Sequence, residues 1–282
     1  MWGSNPHRQR PFKECPLAVT ITARAPSKMY KHHVANLREL ERAIVQTARL
    51  AKAEIAGRDP QKSLRSMLRL YSFLLGAWAE CRLRKLLHEQ YGFTNDERGE
   101  ILAVDTQLGQ WQRTVDLAFR KHHQIPKADL DSRVLGVSHA ARRDALHSVL
   151  SGELKIIIEI RNKLAHGQWV YPFNNEGTAV ESEKYLLINK ENFQSLQFKY
   201  ALLGHLADAA HDLVVSPTTF QRDFDGHFRR LEQVRTNISV KKYVDYESAL
   251  VGSRQKRRKS HGRLKISLRK SRFVARRNLI RL

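Results

Sequence analysis

Leu154-Lys155-Ile156-Ile157-Ile158-Glu159-Ile160-Arg161-Asn162-Lys163-Leu164-Ala165-His166-Gly167 reads as the end of a helix that is apolar almost all the way round. Three consecutive isoleucines sit among Leu154, Ile160 and Leu164, so no single face holds the apolar side chains. Such a helix belongs in the centre of a bundle or at a subunit interface. The pattern extends back to about Ala140. Gly167 stands where a C-terminal glycine cap belongs.

Working outward, the same three- and four-residue apolar spacing recurs on both sides. One helix is predicted from Lys28 to Ala56 (Leu37, Ile44, Ala48, Ala51). Another is predicted from Gln61 to Glu89 (Leu68, Tyr71, Leu75, Trp78), and a third from Gly99 to His122 (Ile101, Trp111, Val115, Phe119). Gly57, Asp59, Pro60 and Pro126 punctuate them. After the quoted stretch a fifth helix runs from about Glu191 to Val215. Ser216-Pro217-Thr218 opens a sixth, ending near Ser239. Between Gly167 and Glu191 the reading changes to a β-hairpin over about 168–189. Its strands are Trp169-Val170-Tyr171 and Tyr185-Leu186-Leu187-Ile188, and Asn174-Asn175-Glu176-Gly177 forms the turn. The expected fold class is therefore an all-α bundle with a small β-hairpin insert and a basic C-terminal tail. Residues 1–28 form a proline-interrupted lead-in with one short strand at Leu17–Thr22. Residues 29–239 form the helical domain, and 240–282 the basic extension.

The net charge of +22 is unevenly spread. No acidic residue follows Glu247, and 13 of the 29 residues from Arg254 to Leu282 are Lys or Arg. A polycationic tail on a basic body attracts polyanions, nucleic acid above all. Within the tail, Arg257, Arg258 and Lys259 are the densest run and are expected to contact substrate phosphates. Cys15 and Cys81 are too few and too distant for a disulfide framework or a zinc site. No metal and no cofactor is expected. No stretch approaches the roughly 20 apolar residues of a membrane span, and the polar start lacks the apolar core of a signal peptide. A cytoplasmic protein without a membrane partner is the expectation.

The chemistry concentrates at the end of the quoted helix. Burying Arg161 is costly unless a carboxylate or phosphate partners it. His166 lies at the helix C-terminus, where the dipole favours a cation. Asn162 is four residues before His166 and so shares its face. Arg161, five before it, is about 140° round an ideal helix. Metal-free RNA cleavage needs this set. The ribose 2′-OH is the nucleophile, histidine moves protons near neutral pH, and the arginine fork steadies charge growing on phosphorus. Against this stands the plain reading of a helix-end arginine with a capping histidine.

The segment resembles the R-x4-6-H signature of the HEPN superfamily (higher eukaryotes and prokaryotes nucleotide-binding). Arg161 matches the family's arginine, Asn162 the polar residue that often follows it, and His166 its histidine. The resemblance covers about residues 30–215. It implies a helical bundle, a homodimer with a composite cleft, and a metal-independent endoribonuclease of prokaryotic defence, such as a toxin or abortive-infection protein with an antitoxin or defence-system partner. It also points to Glu80 as the acidic residue that orients Arg161, although a salt pair with Arg84 at i+4 would explain Glu80 equally well. Lys163 and Trp169 are candidate substrate contacts. The alternatives are a non-catalytic RNA-binding or scaffold protein of the same fold, and a DNA-binding protein acting through its Arg-rich tail. His32-His33 and His122-His123 read as surface pairs.

Overall fold

The structure, a computed structural model, describes residues 25–57, 61–125 and 128–256. The strand expected at Leu17–Thr22 and the tail cations Arg257, Arg258 and Lys259 lie outside them. All regular structure among the described residues is helical. Helix α1 spans Lys28–Ile55, α2 Gln61–Leu87, α3 Asn95–Leu102, α4 Gln107–His123, α5 Ser132–Leu135, α6 Val137–Val149, α7 Lys155–Ala165, α8 Ser182–Lys190, α9 Phe193–Val215 and α10 Pro217–Val240. Residues 243–256 are helical as well, and Tyr243, Tyr246 and Leu250 pack on the core.

Sequence chemistry sets the helix ends. Ser27 caps α1 by accepting from the Tyr30 N–H at 3.1 Å. Thr94 and Glu97 form a reciprocal capping box at the start of α3. The single helix predicted over Gly99–His122 is two helices. Thr106 accepts from the Gly109 N–H at 3.0 Å, and this N-cap starts α4 afresh. Helices α6 and α7 are joined without a break by one π turn, Leu150–Leu154. A π turn inserts residues into the helical ladder and rotates the buried stripe. Val149, Leu150, Leu154, Ile157 and Ile158 all stay buried across it.

Helix α2 is central, packing against α1, α7 and α9. One core cluster, built around Tyr71, Leu75, Trp111, Phe193 and Leu206, joins these helices to α4, α6 and α10. Ile157, Ile158 and Ile160 are buried inside a single chain. Ile157 and Ile158 join the main core, whereas Ile160 sits in a separate small cluster against which Ile156 is partly buried, so packing within one chain accounts for most of the run.

The expected β-hairpin is not formed. Its proposed second strand, Tyr185-Leu186-Leu187-Ile188, lies within α8. Strand pairing shrinks to one antiparallel bridge between Phe173 and Val180. The physical reason is a second small core. Ile188 packs with Ile160 and Leu164 of α7, and Leu187 lies against them. Adjacent positions on one side of a helix can both reach α7, whereas in a strand they would point to opposite faces. The Asn174 side chain does make the predicted turn, accepting from the Thr178 and Ala179 N–H groups at 2.9 and 3.2 Å. Gly177 supplies the left-handed residue at φ 71°.

Candidate active site

The end of α7 closes in a Schellman motif. His166 is the cap residue, and Gly167 takes φ 75°. The Gly167 N–H donates to the Leu164 carbonyl at 3.1 Å, and the Gln168 N–H to the Lys163 carbonyl at 3.0 Å. The glycine thus turns the chain away immediately after His166 and leaves the imidazole exposed. No hydrogen bond to the ring forms among the described residues.

Arg161 sits one turn deeper and is held tightly. Its Nη2 donates to Glu80 Oε2, and its Nη1 donates to Asn162 Oδ1 at 3.0 Å. Glu80 lies on α2, one turn after Gly76. A Cβ at Gly76 would stand 2.4 Å from Arg161 Cβ and 2.7 Å from its Cγ. Glycine is required there for α2 and α7 to approach. The acidic partner of Arg161 is therefore Glu80, and among the described residues Arg84 forms no ion pair with it. The Arg161 Nε is buried without a hydrogen-bond partner among the described residues.

Two cavities flank the end of α7. One, of about 710 Å³, is lined by His166, Asn162, Lys163 and Glu159 together with insert residues such as Gln168 and Lys184. The other, of about 480 Å³, is lined by Arg161, Glu80, Arg84 and Lys155 and by the Asp105–Gln110 segment. Glu159 and Asn162 border both and form the ridge between them. Asn162 and His166 share a cavity, as their spacing predicts. Arg161 opens on the other side of the ridge and does not meet His166 within one chain.

Lys163 has a structural task. Its ammonium donates to Glu181 Oε1 at 2.6 Å and to the Phe173 carbonyl, tying the insert to α7. Lys184 pairs with Glu159 in the same way. Trp169 does not line either cavity. Its indole N–H caps the Leu164 carbonyl at 3.0 Å, and the residue is 37% exposed. Arg69 of α2 was not legible in the sequence, yet it organises this whole region. It is 3% exposed. It donates to the Trp169 carbonyl at 3.2 Å, to the Ile188 carbonyl, and to Asn189 Oδ1 at 2.9 Å. The cavity residues Gln168, Asn174 and Asn175 were also missed. Only the asparagine turn hinted at them.

His122 and His123, expected as surface residues, are half-buried and grouped with His139, with ring centroids 4.6 and 4.5 Å apart. Among the described residues no group of three or more His, Cys, Asp or Glu is arranged to hold a metal ion, and no helix is long and apolar enough to cross a membrane. Comparison with protein-family models, with curated proteins and with solved structures finds no match to this chain.

Proposed function

We propose that this chain is a HEPN-type endoribonuclease that cleaves RNA without a metal, using His166 for proton transfer and Arg161 for charge stabilisation. The observation that carries the reading is the end of α7. A fixed arginine with its own carboxylate, an amide on the dividing ridge, and an unpartnered histidine lie within six residues, between two open cavities. An RNA strand crossing the Asn162 ridge would meet Arg161 on one side and His166 on the other. A homodimer is the arrangement in which Arg161 and His166 from different copies can also converge on one phosphate. On this reading the enzyme would serve in prokaryotic defence, as the resemblance implies.

In the reaction, the 2′-OH loses its proton and its oxygen attacks the adjacent phosphorus. The bond to the 5′-oxygen breaks, and that oxygen takes up a proton. The products are a 2′,3′-cyclic phosphate and a 5′-hydroxyl. His166 supplies the proton acceptor or donor. The Arg161 fork neutralises the equatorial oxygens. Glu80 keeps that fork from turning into solvent.

The test is end-group analysis of RNA products from purified protein in EDTA. The wild type should give 5′-hydroxyl ends, and His166→Ala should lose roughly 10²–10⁴-fold in rate. Arg161→Ala should lose activity with little loss of stability, because Glu80, with its side chain 39% exposed, can be rehydrated. A 5′-phosphate product, or full activity in a folded His166→Ala protein, rejects this mechanism. A second reading, RNA binding without cleavage, is favoured by the separation of Arg161 and His166 within one chain. It predicts tight RNA binding with no cut at any protein concentration.

A further inference from the structure

Six of the large exposed hydrophobic side chains fall between residues 169 and 186: Trp169, Val170, Tyr171, Phe173, Val180 and Leu186. A cluster of this kind on one surface segment marks a recognition site more often than chance exposure. Here the backbone beneath it is held at both ends. Arg69 holds the Trp169 carbonyl, Lys163 holds the Phe173 carbonyl, and the Phe173 N–H donates to Gln168 Oε1 at 2.8 Å. The Tyr171 ring lies parallel to that of Tyr185, at 5.7 Å and 6°, and is 53% exposed. The loop is tied down at Trp169 and Phe173 while Trp169, Tyr171 and Phe173 stay more than a third exposed. Binding such a surface costs little further ordering.

We propose that the Trp169–Phe173 segment, backed by Tyr185, is a stacking platform for the unpaired bases of single-stranded RNA entering the His166 cavity. The location rests on the ribonuclease reading, and the platform adds the substrate class. Three features favour RNA over a second copy as the occupant. The residues that flank the platform on both sides, Gln168 before it and Asn174 and Asn175 after it, line the cavity. The two carboxylates in that cavity wall, Glu159 and Glu181, are already paired with Lys184 and Lys163. The chain carries a net charge of +22, which attracts a polyanion such as RNA. Aromatic rings stack on any base face and so accept single strands without sequence preference. A duplex hides its base faces and offers such a ring nothing.

The test measures binding of a 2′-O-methyl oligoribonucleotide of about 12 nucleotides, single-stranded or annealed to its complement, to the full chain in roughly 0.3 M salt to suppress phosphate contacts. The 2′-O-methyl group prevents cleavage. Tyr171→Ala and Phe173→Ala should each weaken single-strand binding roughly 5- to 100-fold. Both should leave duplex binding unchanged, and Tyr171→Phe should bind like the wild type. Unchanged single-strand affinity in both alanine variants overturns the platform, as does equal loss on single strand and duplex. So does a wild-type dimer that Tyr171→Ala converts to monomer with RNA affinity intact, which would assign the patch to a second copy. The outcome is separable from the nuclease reading. Platform-dependent binding of an RNA that is never cut sinks only the nuclease, whereas cleavage with unaffected binding in the variants sinks only the platform.

Discussion

Arg161 is fixed by two side chains and by an absence. Glu80 and Asn162 take its terminal nitrogens, and the missing side chain at Gly76 makes room for its Cβ and Cγ. Among the described residues its buried Nε–H has no hydrogen-bond partner. Substituting Gly76 tests whether the close approach positions the arginine. In Gly76→Ala the new methyl would overlap a Cβ at 2.4 Å, and a Cβ, unlike the far end of a side chain, cannot swing aside. Helix α7 must shift. The expected cost is about 1–3 kcal/mol in urea unfolding, with a loss of cleavage beyond what stability explains, because Arg161 moves with the helix. A variant with the wild-type unfolding midpoint would show that the two helices do not meet at this point.

At the scale of elements, the long helices were legible because their apolar spacing is repeated over many turns. The placing of Arg161, Asn162 and His166 at a helix end was legible because that stretch carries its own stop signal in Gly167. The insert was not. Tyr185-Leu186-Leu187-Ile188 is a short apolar run that suits strand and helix alike, and the contact that decides for helix, Ile188 on Ile160 and Leu164, lies outside the local sequence. The same limit hid Arg69, which reaches across 100 residues to Trp169. Three of its nitrogens serve two carbonyls and one amide, so Arg69→Ala would strand partly buried acceptors that water must then enter to satisfy. The expected result is a loss of about 2–3 kcal/mol and faster hydrogen exchange for the amides of residues 168–190, while α9 keeps its protection. Unchanged exchange in the insert would mean that Lys163 and the small α7–α8 core hold it without Arg69.

Over the whole molecule, charge and burial together set a pH dependence. Five histidines, grouped at three places, are held below the ordinary imidazole range, chiefly because burial penalises the charged ring. His33 and His88 stack on each other with centroids 4.7 Å apart, and Arg84 adds repulsion to both. His122 and His123 crowd each other and His139. His205 on α9 faces Arg230, with Asp208 opposing the effect. The sign is the same at every site. Below the unfolded-state value of 6.5, the unfolded chain binds protons that the folded chain resists, so folding stability falls as pH falls. The melting temperature should therefore be highest above about pH 7 and decline through roughly pH 6 to 5. That window lies well above the range in which the paired carboxylates Asp116 and Glu97 titrate, both of them held low by hydrogen bonds that outweigh burial. Replacing His88 with Gln removes the charge that would build up beside His33, and it should flatten the decline without raising the plateau at high pH. Thermal unfolding of wild type and His88→Gln from pH 7.5 to 5 decides the matter. A wild-type melting temperature that holds constant or rises toward pH 5 would show that these rings are solvated well enough in the folded chain to accept protons freely.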